Sequence, residues 1–319
     1  MKLTYRLLSG ATLVIGLAAA SAAHAEYKLA FIPGVGGDAY YGSVQCGIEA
    51  AAKARGAAVD TQAPKSFDPA AQIPILEAMI AKKPDAIVIA PTDSKALFAP
   101  LKKAADQGIK VVLVDTTLED PSIAVSEVSS DNVEAGKVAA AELAKVLGDK
   151  KGSVLTVNLS PGVTTTDDRE KGFAEAIKAA GQNYLPQQFS NNSVQKADQI
   201  VSATLLSNPD LAGIFSTAAF NTEGAVAALR AAGRSKDVMI VGFNANPPGI
   251  DQLKKGQVFA QVVLKPYDEG KFAGEQALNA LEGKPVEKQI LTGSVVATKD
   301  NLESPEVSKY LYSFTCPAE

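Results

Sequence analysis

The chain has 319 residues, enough for two modest domains with cores of their own, and its 46% hydrophobic and 21% charged content is ordinary for a globular protein. The formal charge of −4 makes a poor match for nucleic acid, whose phosphates attract basic surfaces. No tract is biased enough in composition to leave the chain disordered.

Residues 1–25 read as an export leader. Lys2 and Arg6 give a positive start, 7–20 is an apolar run, and Ala23-His24-Ala25 fits a small-residue cleavage site. The run is short for a bilayer span, so the mature chain is expected to begin at Glu26. Loss of the leader makes the charge two units more negative and removes His24, the single histidine. Histidine triads, histidine general bases and histidine metal sites are thereby excluded. Two cysteines remain, Cys46 and Cys316. They form either one bridge or two unpaired thiols, and an oxidising compartment favours the bridge.

In chain order, a strand over 29–32 breaks at Pro33-Gly34, and a glycine-rich turn leads to Asp38, Tyr40 and Tyr41. A helix over 41–55 follows, stopped by Gly56. A short strand covers 57–60. A helix over 69–82 contains Pro74, which is read as its true first turn with the preceding residues as a cap. The apolar run 86–90, bounded by Pro84 and Pro91, reads as a buried strand. A helix over 94–107, strands over 110–114 and 123–128, and a helix over 132–147 between Asp131 and Gly148 complete the first half. The rhythm then restarts: strand 153–158, helix 167–180, strand 184–189, helix 193–206, strand 212–216, helix 221–232, strand 238–243, helix 248–255, strand 258–264, helix 267–281 and strand 288–296. The tail after Asp300 reads as one more short helix.

Apolar strands alternating with amphipathic helices imply an α/β protein of two doubly wound parallel sheets. Ligand chemistry is expected beyond the carboxyl ends of the strands. Polar residues do collect there: Asp38 after the first strand, Pro91-Thr92-Asp93 and Asp115-Thr116-Thr117 after the third and fourth, Thr164-Thr165-Thr166 before a helix, and Asn244 after a later strand.

Several chemistries can be weighed on these residues. Gly34-x-Gly36-x-x-Ala39 resembles a dinucleotide fingerprint, but Asp38 and two tyrosines crowd the turn where a pyrophosphate would sit. No phosphate loop or nucleophile elbow occurs in the sequence. Asp38 and Asp115 could serve as paired acid and base in a glycosidase. Carboxylates that accept sugar hydroxyls explain them as well, with helix capping as the plain alternative. Arg169, at the opening of a helix with Asp167 and Asp168, opposes the helix dipole and therefore needs a target for its fork, either a ligand or a neighbouring acid. Tyr40 and Tyr41 offer rings for a flat C–H face, with one of the two expected to face the cleft and a plain core role as the alternative.

Asp38-Ala39-Tyr40-Tyr41, Pro84-Asp85-Ala86-Ile87-Val88-Ile89-Ala90-Pro91-Thr92-Asp93, Val114-Asp115-Thr116, Ser130-Asp131-Asn132, Arg169-Glu170-Lys171-Gly172-Phe173, Asn208-Pro209-Asp210, Val241-Gly242-Phe243-Asn244 and Pro266-Tyr267 follow one another in a specific order. In this respect the chain resembles periplasmic sugar-binding proteins of ABC importers, of the ribose-binding type, over nearly all of its mature length. The resemblance implies a type I periplasmic binding fold with three hinge strands, crossing near 129–132, 261–264 and 292–294. It implies a first lobe of 26–130 plus 263–293, and a second of 131–262 plus 294–319, tail included. It also implies a ligand held by Asp38, Tyr40, Tyr41 and Asp115 from one lobe and Arg169 and Asn244 from the other. Thr116, Asn192, Ala218, Asn244 and Leu264 stand where ribose binders carry arginine, phenylalanine, asparagine, aspartate and glutamine, so the resemblance points to a different small sugar, a polyol or a deoxy sugar.

The expected protein is a monomeric, non-enzymatic periplasmic receptor. It has no cofactor, metal or nucleic-acid partner, and it delivers its ligand to ABC permease subunits by hinge closure. A ligand sensor for a membrane chemoreceptor or kinase is the alternative. A repressor of the lactose-operon type shares the fold but carries a DNA-binding helix pair where this chain has its leader.

Overall fold

The structure, a computed structural model, describes residues 26–243 and 245–316; the leader and Asn244 lie outside the described residues. Short apolar strands alternate with helices along the whole chain, and they assemble into two sheets. In the first, β1 (Lys28–Ile32), β2 (Ala58–Thr61), β3 (Ala86–Ile89), β4 (Lys110–Val114) and β5 (Ser126–Ser130) are joined by a strand from far along the chain, β12 (Gln289–Thr292). The order is β12-β5-β4-β3-β1-β2, all parallel. All four residues of β3 are buried, as a strand covered on both faces requires.

The second sheet contains β6 (Ser153–Asn158), β7 (Asn183–Tyr184), β8 (Gln188–Phe189), β9 (Leu211–Ser216), β10 (Met239–Phe243), β11 (Ala260–Val263) and β13 (Val295–Thr298). Its order is β13-β11-β10-β9-β6-β7, with β8 also on β6. The pairing is parallel except at the β13 edge, where Val295 pairs antiparallel with Val263. The single strand expected over 288–296 is therefore two. The chain crosses at Gly293-Ser294 and enters the other sheet against its direction. Likewise, 184–189 splits into β7 and β8 around Leu185-Pro186-Gln187, because proline cannot donate to a ladder.

The helices are α1 (Ala39–Lys53), α2 (Pro69–Ala81), α3 (Phe98–Asp106), α4 (Asn132–Leu147), α5 (Thr164–Ala179), α6 (Val194–Ser207), α7 (Ala219–Ala231), α8 (Pro247–Lys254), α9 (Pro266–Leu281) and α10 (Pro305–Ser308). Pro74 lies inside α2 and does not start it. Asp68 caps the helix at Ala70 N (2.7 Å) and Pro69 fills its first position, so the helix is under way when Pro74 removes one donor. α3 begins later than expected because Asp93 Oδ1 accepts from Lys95 N and Ala96 N and holds 94–97 in turns. α5 begins at Thr164, three residues early, which moves Arg169 from the first turn to the second. The dipole argument for a ligand-facing Arg169 therefore lapses.

Three helix pairs pack with their backbones nearly touching, α1 on α9, α4 on α5 and α6 on α7. A Cβ added at Gly270 would lie 1.9 Å from Val44 O, and one at Gly172 would lie 2.0 Å from Val133 O. The chain leaves the first lobe after β5, returns from β11 to α9, and leaves again between β12 and β13. No helix among the described residues is long and apolar enough to cross a membrane.

The tail makes a further passage. After α10 packs on β13, Tyr312 N donates to Ala245 O (3.1 Å), and Leu264 N donates to Tyr312 Oη (3.1 Å). Ser43 Oγ of α1 then donates to Ser313 O (3.3 Å), and Cys316 is disulfide-bonded to Cys46 of α1, with their Cα atoms 5.3 Å apart. The tail is thus not confined to the second lobe. Thiol titration of denatured, unreduced protein is expected to find no free cysteine; two reactive thiols would show the bond to be absent.

Candidate functional site

The carboxyl ends of both sheets open onto one cleft between the lobes. Its walls come from both lobes. The first lobe contributes Asp38, Tyr40 and Tyr41 where β1 passes into α1, and Asp115 at the end of β4. The second contributes Thr165, Thr166 and Arg169 from α5, Asn192 before α6, and Ala218 before α7.

Asp38 is both a cap and a wall of the cleft. Its Oδ1 accepts from Tyr40 N (2.9 Å), which starts α1 two residues earlier than the apolar pattern suggested. Burial raises its pKa, the Tyr40 N–H opposes that, and the charges of Asp115 and Glu223 add to it. Asp115 holds a left-handed backbone, φ 63°, uncommon outside glycine but accessible to aspartate. Asp115 N donates to Val128 O (2.9 Å) and Ser129 Oγ donates to Asp115 O (2.5 Å), so neighbouring strand β5 fixes this turn.

The buried carboxyl of Asp115 is clasped by the two tyrosines. Tyr41 Oη donates to Oδ2 (2.7 Å), and Tyr40 Oη lies 3.1 Å from Oδ1. Burial raises the Asp115 pKa, while the Arg169 charge and both phenols act against the rise. Burial, followed by the Asp115 charge, pushes both phenols well above their ordinary range, so they remain donors. The rings meet edge-on at 5.3 Å, and Tyr40 also meets Tyr312 at 5.5 Å.

Arg169 is buried on the other side. Its Nε donates to Asn132 Oδ1 (2.8 Å), its Nη1 donates to Thr217 O (2.9 Å), and its guanidinium lies 4.5 Å over the Phe243 ring. Among the described residues, no protein acceptor meets its Nη2. Asn192 also has positive φ, 57°, and Asn191 before it has φ 53°. Asparagine tolerates this conformation, and the kink turns the chain into α6.

Thr116 does not line this cleft. Its hydroxyl donates to Pro91 O (2.7 Å), tying two strand ends together, and the residue borders a neighbouring cavity with Thr117 and Glu127. Asn244 lies outside the described residues. Leu264 is buried at the second crossing. Several residues went unmarked by sequence reasoning. Phe67, in the loop before α2, lines the cleft and packs on Leu159, Val163 and Ala218 of the other lobe. Gly34 leaves the room, since a Cβ there would lie 2.5 Å from Phe67 Cε2. Of the run Thr164-Thr165-Thr166, the second and third line the cleft. Among the described residues, no group of three or more His, Cys, Asp or Glu is placed to hold a metal ion.

The cleft can therefore bind hydroxyls at one wall, through the Asp38 carboxyl and the phenol-clasped Asp115 facing a guanidinium, and an apolar surface at the other. Comparison with known proteins agrees with that architecture. The periplasmic binding protein domain matches residues 29–285. A D-ribose/D-allose-binding protein of Pseudomonas aeruginosa is 35% identical over 229 residues, 70% of this chain and 71% of that protein. The ribose import binding protein of Bacillus subtilis is 33% identical over 255 residues, 79% of this chain and 80% of that protein. An ABC transporter solute-binding protein of Agrobacterium vitis, solved with α-D-tagatopyranose, superposes with a TM-score of 0.88 at 38% identity, covering 90% of this chain and 100% of that one. Another from the same species, solved with D-fucose, gives 0.84 at 30% identity, covering 89% and 100%. Two lobes of parallel sheet around a shared cleft, matched over most of the length by both sequence and fold, place this chain in the periplasmic binding protein family.

Proposed function

We propose that the cleft captures a small sugar or polyol and that the protein carries it through the periplasm to an ABC permease. The observation that carries this reading is the convergence of Asp38 and Asp115 from one lobe with Arg169 and Asn192 from the other around one small cavity. Neutral ligands rich in hydroxyls satisfy such a set: the carboxylates accept, and the guanidinium and amide donate. Phe67, Leu159 and Val163 offer the apolar wall on which a C–H face can rest.

The names of the relatives, all binding proteins for sugars, support capture without turnover. In this reading the leader at 1–25 is removed on export, Asn244 is a further polar contact, and the monomer closes about its three crossings when both lobes grip the ligand. In this reading the lobes are 26–130 with 263–293 and 131–262 with 294–319, the division the resemblance implies, and the disulfide ties the tail back to the first.

A thermal-shift screen of the mature protein tests the reading. The panel would hold pentoses, hexoses, deoxy sugars and polyols, with D-ribose, D-allose, D-tagatose and D-fucose among them. A ligand at about 100 times its dissociation constant adds about 2.7 kcal/mol of stability, a readily visible shift. One clear hit is expected; a flat panel would overturn the assignment to sugars.

A further inference from the structure

Glu269 does not line the cleft; it lies one layer behind it, fully buried in the first turn of α9. Its Oε2 is 2.5 Å from Tyr40 Oη, the phenol that also meets Asp115 Oδ1 at 3.1 Å. Its Oε1 accepts from Ser130 Oγ and from Thr292 Oγ1 (2.9 Å). A phenol has one hydrogen to donate, so it cannot serve two carboxylates at once. If both were ionised, one would present a bare oxygen to a phenol oxygen at hydrogen-bond distance, inside the protein, where that is costly.

One of the two carboxyl groups must therefore hold a proton, and their surroundings differ. Asp115 has a second phenol, Tyr41, at 2.7 Å, and Arg169 near it across the cleft. Around Glu269 the titratable groups are Tyr40 of α1, Asp115 at the end of β4 and Tyr312 of the tail; Ser130 and Thr292 are neutral donors. No lysine or arginine pairs with Glu269 among the described residues.

We infer that Glu269 is the proton holder, a positioning residue that donates from Oε2 to Tyr40 Oη so that the Tyr40 hydrogen is committed to Asp115. Asp115 then accepts from Tyr40 at one oxygen and from Tyr41 at the other, held rigidly for a ligand. The relay also reaches the hinge. Ser130 ends the strand before the first crossing, and Thr292 ends the strand before the third. α9, which carries Glu269, follows the second. The clasp on Asp115 and the angle between the lobes are thus linked by three hydroxyls and one carboxyl. Burial, with the Asp115 charge added, lifts the Glu269 pKa from the usual glutamate value to about 7. The ligand part of this inference rests on the proposed sugar site; the proton part does not.

The test uses ligand-free protein, so it stands apart from the sugar screen. Infrared difference spectra between pH 5 and pH 9 are expected to show a protonated-carboxyl band lost with a midpoint near 7 in the wild type and missing in Glu269→Gln. The sign of the accompanying stability change follows. The native state keeps this proton to higher pH than the unfolded chain, so stability falls as pH rises from about 4.5 to about 7. Glu269→Gln, whose amide still donates to Tyr40, lacks that part of the slope. In Asp115→Asn the Glu269 midpoint should drop by about one pH unit or more, as coupled sites require. No band in the wild type, a band that survives in Glu269→Gln, or a midpoint unmoved in Asp115→Asn would each overturn the inference.

Discussion

Replacing Arg169 with alanine is expected to weaken ligand binding by about 2–4 kcal/mol, the range found when one partner of a buried, charged hydrogen-bonding pair is truncated. The side chain is buried, held at Nε by Asn132 and at Nη1 by Thr217 O, and laid over Phe243. Those contacts leave little rotamer freedom to lose on binding, so a fork presented this way holds its Nη2 ready for a hydroxyl oxygen. Truncation would also strand Asn132 Oδ1 and the Thr217 carbonyl and remove the charge that opposes the rise of the Asp115 pKa. Arg169→Lys should recover only part of the loss, because an ammonium cannot meet Asn132, Thr217 and a ligand in one plane. Calorimetric titration with the sugar found by the screen measures both variants. Affinity unchanged in Arg169→Ala would take this residue out of the site.

Gly270→Ala is expected to destabilise the protein by about 3 kcal/mol, the upper range for inserting atoms into a packed interior. Glycine-to-alanine changes within a helix ordinarily stabilise it, by about 0.5–1 kcal/mol, so the sign of the result is itself informative. Here the new methyl carbon would lie 1.9 Å from Val44 O, and both atoms belong to helix backbones that cannot move alone. α1 would have to part from α9, taking Tyr40 away from Glu269. Gly172→Ala poses the same problem in the second lobe, against Val133 O at 2.0 Å. Chemical denaturation compares the midpoints; a midpoint equal to or above the wild type's would show that the helices separate freely.

How much of this was legible depends on what each residue answers to. α4 was readable to the residue, because Asp131 and Gly148 punctuate a clean amphipathic run. The start of α1 was not, since Asp38 caps it through a contact that periodicity does not register. Pro74 misled because a proline signals a helix start only when no better start, such as Asp68-Pro69, precedes it. One stretch read as a strand from 288 to 296 cannot reveal that its halves serve different sheets, as this is a property of the fold and not of the stretch. In the site, Asp38, Asp115 and Arg169 stand at strand ends and near a helix start, where the fold class already points. Phe67 hides in a polar loop with no period to mark it. Glu269 looks like an ordinary acid in the first turn of a helix, and its partners lie 139 and 229 residues away in sequence, at Ser130 and Tyr40. Thr116, which stands where ribose binders carry arginine, donates its hydroxyl to Pro91 O.

The disulfide between Cys46 and Cys316 sets the load path of the molecule. A stretching force applied at Glu26 and Cys316 would run through residues 26–46 and the sulfur bridge alone. The rest of the chain, closed by cysteines 270 residues apart, forms a ring off that covalent path and is loaded only through its non-covalent contacts with it while the bond is intact. The three crossings and the second-lobe wall of the cleft lie within the ring. Asp38, Tyr40 and Tyr41 sit on the loaded segment, anchored by β1 between two neighbouring strands. Reduction would put both lobes in series with the pull, so the same force that once tested one strand and one helix would draw the cleft open.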